Sequence, residues 1–103
     1  MDFVVVAEHP PDLCPHSNVK VREQVRHLSD FRALAKKLGI DTVFSGIPVP
    51  EHKTFRVFRA PSFEVVRRLM AESGFVQTNT VTIRQTESVE EYQKEIETTT
   101  PIL

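Results

Sequence analysis

The chain has 103 residues, of which 40% are hydrophobic and 26% charged, as in an ordinary single globular domain. Its formal charge of -1 lacks the basic surplus with which nucleic-acid-binding proteins neutralise phosphates. One cysteine, Cys14, excludes a disulfide scaffold, and no apolar stretch is long enough for a signal peptide or a membrane span, so we expect a cytoplasmic protein.

The first forty residues predict a strand and a long helix. The continuous β-branched run over 3–7 indicates a strand buried on both faces, and two consecutive prolines end it. Apolar residues then recur at helical spacing over 19–38, and Gly39 suits the position after a helix. Ser29 is a candidate N-cap that would divide this helix into two.

The middle of the chain predicts a β-hairpin. Residues 40–49 form a strand with a bulge expected at Gly46, and its prolines suit only the edge of a sheet. The loop at 50–53 turns the chain back into a strand over 54–59. Arg56 and Arg59 fall on opposite faces of that strand, where a salt bridge across a dimer is favoured over an anion-binding role.

The last third predicts a helix, a strand and a second, shorter helix. The helix lies between Pro61-Ser62 and Gly74, the threonine-rich strand covers 75–84, and an acidic helix with a Ser88 cap covers 88–96. The order is therefore β-α-β-β-α-β with an extra C-terminal helix, an α+β ferredoxin-like pattern. We expect one domain over 1–97 with a four-stranded antiparallel sheet, its first and third strands central, and a tail over 98–103.

The first strand carries apolar side chains on both faces, although two helices can cover only one face of the sheet. These side chains are Phe3, Val5 and Ala7 on one face and Val4 and Val6 on the other. Either the C-terminal helix or a second copy of the chain must cover the other face, and a homodimer is favoured because two-fold dimers are the commonest oligomers.

Several short segments resemble those of known proteins. They are Glu8-His9-Pro10-Pro11, Cys14-Pro15, Ser17-Asn18 and the hairpin Pro50-Glu51-His52-Lys53. The hairpin, with the element order and the double-sided first strand, resembles the dimeric α/β-barrel proteins of the ferredoxin-like group. More narrowly, the segments between Glu8 and Asn18 resemble a family of small bacterial and archaeal proteins without an assigned function. The resemblance implies two facing sheets and a pocket between the sheet and helices of each subunit. That group includes cofactor-independent monooxygenases, isomerases and heme-handling proteins, so the resemblance predicts architecture better than reaction.

Chemistry is expected at one end of the sheet. The loop after the first strand, the hairpin and the start of the fourth strand all lie at this end if the strands alternate in direction. This arrangement brings His9, Cys14 and His16 close to His52, with Gln77 nearby.

Three kinds of chemistry are open at this end. His9 and His52 are candidate catalytic residues for proton transfer, since histidine titrates near neutral pH. His9, Cys14, His16 and His52 are candidate ligands for zinc, copper or ferrous iron, although their spacing matches no familiar zinc signature. Cys14 could be a nucleophile or could bind a ligand, but a small buried hydrophobic role is favoured.

Gln77 and Asn79 are candidate ligand-binding residues. On a strand over 75–84 they would share a face with apolar neighbours, where buried amides require hydrogen-bond partners. They could line a polar pocket, or that part of the face could be solvated.

Three functions therefore remain open. The first is a dimeric α/β-barrel protein that binds a small organic molecule at the His9/His52 end, with cofactor-independent oxygenase, isomerase or lyase-type proton chemistry. The second is a non-catalytic metal- or ligand-binding module, and the third is a structural or regulatory homo-oligomer.

Overall fold

The structure, a computed structural model, describes residues 1–25, 28–48 and 51–103. Pro50, part of the expected hairpin loop, lies outside the described residues. Among the residues that are described, no helix has both the length and the apolar character needed to cross a membrane.

The elements follow the predicted β-α-β-β-α-β order with additional short helices. In chain order they are β1 (Asp2–Glu8), a 3-10 turn (Pro11–Leu13), α1 (Val19–Val25), α2 (Leu28–Lys37), β2 (Asp41–Gly46), β3 (Lys53–Arg59), α3 (Phe63–Glu72), α4 (Phe75–Thr78), β4 (Thr80–Thr86) and α5 (Val89–Thr98). Ser62 and Ser88 accept backbone hydrogen bonds as the N-caps of α3 and α5, as their sequence positions indicate.

The four strands form one antiparallel sheet in the order β2-β3-β1-β4. The predicted central position of β1 and β3 is confirmed, and the arrangement is compatible with a ferredoxin-like fold. Phe3, Val5 and Ala7 of β1 are fully buried on the face that the helices cover. Because β1 pairs with β3 in register, Phe58 and Arg56 lie on this same helix-covered face.

Two local predictions in the first half are wrong. The segment 19–38 is helical over Val19–Val25 and Leu28–Lys37, with residues 26 and 27 outside the described part of the chain, and Ser29 lies inside α2 rather than at an N-cap. The bulge in β2 lies between Thr42 and Phe44, whereas Gly46 pairs regularly with β3. A side chain at Gly46 would come within 3.0 Å of the Phe44 ring, so the glycine permits the close approach of that ring.

The fourth strand begins later than predicted. Residues 75–78 form the helical turn α4, and β4 starts only at Thr80. Its ladder with β1 ends at the pair Glu8–Thr80, so the residues before Thr80 have no strand partner and bond locally instead. Gly74 permits the turn because its φ of 87° lies in the left-handed region. Gln77 and Asn79 therefore do not lie on a strand face.

The second face of the sheet is apolar, and no described element of the chain covers it. Val4, Val6, Phe55 and Val57 are half-buried there, and Phe44 is 58% exposed. The residues of α5 are all exposed, so the C-terminal helix does not cover this face.

Candidate functional site

A cavity of about 870 Å³ lies between the helix-covered face of the sheet and α2, within the size range of small-molecule sites. Its apolar wall is formed by Phe31, Leu34, Ile47, Pro48 and Phe75. The structure brings all the sequence-derived candidates to its lining, namely His9, Cys14, His16, His52, Gln77 and Asn79. Their roles stay predictions, but their shared location agrees with the expected end of the sheet.

The β1–β3 ladder positions the two histidines. One residue beyond the last pair of the ladder, the His9 backbone N–H donates to the His52 carbonyl over 3.1 Å. The two imidazole rings meet edge to face with their centroids 5.4 Å apart. Below them, Lys53 forms ion pairs with Glu8 at 3.4 Å and Glu51 at 3.5 Å. The hydrogen bond to Glu8, together with the Glu51 charge, raises the pKa of Lys53 above its usual value.

Asn79 determines which nitrogen of His9 carries the proton. The Asn79 Nδ2 amide donates to the Phe75 carbonyl and to the Thr78 hydroxyl, both over 3.1 Å. Because a carbonyl can only accept, the Asn79 Oδ1 must be the atom that faces His9 Nδ1, at 3.1 Å. The neutral His9 ring therefore carries its proton on Nδ1, which leaves a lone pair on Nε2.

The Nε2 atom of His9 is buried and has no hydrogen-bond partner among the described residues. Buried nitrogens are nearly always satisfied, so an orphaned lone pair in a cavity lining requires an explanation. A metal ion or a proton donor on a ligand would satisfy it.

Cys14, on the loop after β1, lines the same cavity as His9. Its backbone N–H donates to the Pro11 carbonyl at 3.2 Å, and its carbonyl accepts from Asn18 at 2.8 Å. The Asn18 side chain caps α1 by accepting from the Val21 N–H at 3.1 Å, as its sequence position allows. These bonds hold the buried, free Cys14 thiol in a fixed turn at the start of α1.

His9, Cys14 and His52 form a group in which one potential ligand atom of each lies within 4.8 Å of the others. Ligands of a tetrahedral metal with bonds of about 2.0–2.3 Å lie roughly 3.3–3.8 Å apart, so a modest inward movement would complete such a site. The side chain of His52 is exposed just before the second hairpin strand.

His16 and Gln77 line the cavity without joining this group. Both residues are exposed, and the group within 4.8 Å does not include His16. The His16 backbone carbonyl accepts a hydrogen bond from Arg22 at 2.6 Å, which connects the loop to α1. Gln77 lies on α4, near the rim of the cavity.

Arg56 was not among the candidate site residues, yet it lines the cavity. Its guanidinium lies 4.6 Å from the Phe75 ring centroid and 5.2 Å from that of Phe31. Its Nη1 donates to the Thr54 hydroxyl over 2.8 Å, and burial lowers the pKa of Arg56. The sequence signal was that Arg56 and Phe58 are two residues apart on one strand, so that Arg56 shares the face of a buried phenylalanine.

Comparison with known proteins supports the architecture. No protein-family model and no curated protein matches the sequence. Among solved structures, the chain is similar to TftG, the 5-chloro-2-hydroxyhydroquinone dehydrochlorinase of Burkholderia phenoliruptrix AC1100, in complex with 2,5-dihydroxybenzoquinone. The TM-score is 0.57 at 11% identity, over 88% of this chain and 98% of the TftG chain. At this identity the similarity shows a shared fold and nothing further about activity.

Proposed function

We propose that the chain binds a small organic molecule in its cavity and holds a transition metal ion at His9, Cys14 and His52. One observation carries this proposal: His9, Cys14 and His52 each offer a potential ligand atom within 4.8 Å of the others, and the Nε2 of His9 is buried without a hydrogen-bond partner among the described residues. The hydrogen bond from His9 Nδ1 to Asn79 supports it, because metal-binding histidines usually donate their other ring N–H to an oxygen acceptor.

The donor set indicates the class of metal. Imidazole and thiolate together suit zinc, copper and ferrous iron rather than magnesium or calcium. Three protein ligands leave a position for a further ligand, which is the arrangement of catalytic rather than structural zinc sites. A thiolate ligand must remain reduced, which agrees with the expected cytoplasmic location.

Metal content of the freshly purified, untagged protein tests this proposal. We expect stoichiometric zinc, copper or iron, retained in His16→Ala and lost in His9→Ala/Cys14→Ser. His16 is the matched control because it is an exposed histidine on the same cavity but outside the group. Protein that takes up none of the three metals when they are added, or equal loss in both variants, would refute the metal site.

A second candidate function is proton transfer without a metal. The fixed tautomer of His9 supports it, because a neutral ring with a free Nε2 is ready to accept a proton from a ligand. This candidate includes the cofactor-independent oxygenase, isomerase or lyase-type chemistry expected for the His9/His52 end.

Binding to chelator-treated protein tests this second candidate. The coloured molecule 2,5-dihydroxybenzoquinone, present in the TftG complex, is a suitable first probe. We expect metal-free protein to bind it, His9→Ala to bind it more weakly and His16→Ala to bind it as wild type does. Equal binding by all three proteins would exclude a role for His9 in holding the ligand.

We also propose that two copies of the chain pair through the uncovered face of the sheet. This face presents Phe44, Phe55, Val57, Val4 and Val6, and α5 does not cover it. Antiparallel sheets normally present a polar face to water, so an apolar second face indicates a partner. A self-complementary pairing of this kind would give the dimeric barrel that the sequence resemblance implies. Sedimentation equilibrium should show a dimer, and a monomer at all concentrations would exclude the pairing.

A further inference from the structure

Arg56 lies in the lining of the cavity, which also includes the carboxylates of Asp30, Glu51 and Glu72, but none of these forms an ion pair with it within 4.0 Å. Of the five N–H donors of its guanidinium, the bond to the Thr54 hydroxyl uses one on Nη1. Among the described residues, Nε and Nη2 have no hydrogen-bond acceptor and no carboxylate forms an ion pair with this guanidinium. No described residue therefore occupies the Nε–Nη2 edge, which is the edge that a ligand would contact.

The other arginines of β3 and α3 differ from Arg56. Arg59, on the same strand but the opposite face, pairs with Asp2 over 3.0 Å. Arg67 and Arg68 on α3 each pair with a glutamate on the same helix. All three of these arginines are exposed, whereas Arg56 is half-buried. The chain thus pairs the arginines that need a partner least.

A desolvated charge is costly unless something compensates it. The faces of Phe31 and Phe75 compensate Arg56 in part, because an aromatic ring attracts a cation lying over it. An anion from a ligand would compensate the rest. The planar fork of a guanidinium fits a carboxylate in particular, through two parallel hydrogen bonds.

We propose that Arg56 binds the carboxylate of a planar organic acid, so that the cavity selects such acids over neutral molecules of the same shape. This inference rests on the proposed binding of a small organic molecule and adds its chemical class. Phe31, Phe75 and Leu34 supply the apolar wall for the planar part of the ligand. Thr54, which anchors the guanidinium, lies two residues after His52, which directly precedes β3, and Arg56, His9 and His52 all line the same cavity.

Benzoate and benzamide are the probes that separate charge from shape, because they differ in the anionic group alone. Their affinities are measured by isothermal titration calorimetry at neutral pH for wild type, Arg56→Met, Arg56→Lys and Arg59→Met. Methionine preserves much of the apolar stem, and Arg59→Met is the matched control on the opposite face of the same strand. We expect Arg56→Met to weaken benzoate binding about ten- to a hundredfold and leave benzamide binding unchanged. Arg59→Met should leave both affinities unchanged.

Three results would overturn the inference. They are unchanged benzoate affinity in folded Arg56→Met, equal affinity of wild type for benzoate and benzamide, and no benzoate binding to wild type at all. If Arg56→Met does not fold, Arg56→Lys decides, because lysine keeps the charge but loses the fork, and benzoate binding alone should then weaken.

The metal experiment has a separate readout. Benzoate binding through Arg56 in metal-free protein would uphold this inference while the metal site fails. Metal bound at His9 without benzoate binding would uphold the metal site and refute the role of Arg56 in binding a carboxylate.

Discussion

Replacing Asn79 with leucine tests whether the Asn79 amide determines which ring nitrogen of His9 carries the proton. Leucine has a similar size but cannot accept from His9 Nδ1 or donate to the Phe75 carbonyl and the Thr78 hydroxyl. The His9 ring would then lose the acceptor that fixes its proton on Nδ1. We expect a mixture of the two neutral tautomers in Asn79→Leu.

The expected magnitudes follow from the bonds that the leucine removes. Three side-chain hydrogen bonds are lost at a half-buried position, each contributing roughly 0.5–1.5 kcal/mol, so the free energy of unfolding should fall by about 2 kcal/mol. For a domain of this size that corresponds to a fall in Tm of about 10 °C. If His9 binds a metal, loss of the partner that orients its ring should weaken metal affinity about ten- to a hundredfold.

Nitrogen-15 NMR of the imidazole at a pH where His9 is neutral gives the tautomer directly. Thr78→Val is the matched control, because it removes one bond to Asn79 and leaves the contact with His9 intact. Wild type and Thr78→Val should both show a protonated Nδ1. The free energy of unfolding of Thr78→Val should fall by less than about 1 kcal/mol relative to wild type. A protonated Nε2 in wild type, or an unchanged Nδ1-protonated tautomer in Asn79→Leu, would refute the reasoning.

Three further predictions concern the surface, one turn and the C-terminal helix. Val57→Glu should shift sedimentation equilibrium from dimer to monomer, because it places a charge on the uncovered apolar face; a persistent dimer would contradict the proposed pairing. Gly74→Ala should cost about 1 kcal/mol in thermal unfolding, because the φ of 87° strains any side chain while an added Cβ meets nothing within 4 Å; an unchanged Tm would contradict this. The hydrogen bond with Glu95 raises the pKa of Glu87 above 4.5, so its stabilising effect is full below that pH and lost as pH rises through the folded pKa. The Cα chemical shifts of α5 should therefore become more helical on acidification, and less so in Glu95→Gln.

The strand order of the sheet could be predicted because few chain topologies are compatible with the β-α-β-β-α-β order of elements. Continuous apolar residues in β1 indicate a strand with both faces covered, and such a strand belongs at the centre of the sheet. With β1 central and right-handed crossovers, the hairpin and the loop after β1 must end on the same side. The convergence of His9 and Cys14 with His52 follows from that topology, even though His52 is about forty residues from the other two in sequence.

The helix boundaries could not be predicted to the same accuracy. Ser29 follows an apolar-periodic segment and could be an N-cap or a residue within a helix, and the structure places it inside α2. Arg56 shows a different limit. Strand alternation places it on the face of Phe58, but whether a described carboxylate comes close enough to form an ion pair with it depends on how the helices pack over the sheet.

The misassigned segment at 75–79 has the largest consequence for the site. Val76 and Thr78 are β-branched and favour a strand, but the β1 ladder ends at Glu8 and offers this segment no partner. The left-handed Gly74 instead starts a helical turn, which brings the Phe75 carbonyl to the Asn79 amide and so aims Asn79 Oδ1 at His9. The same turn supplies the Phe75 ring beside Arg56. Local preference and fold therefore disagree at the segment that orients His9 and flanks Arg56, as is expected where a chain forms a binding site rather than a regular ladder.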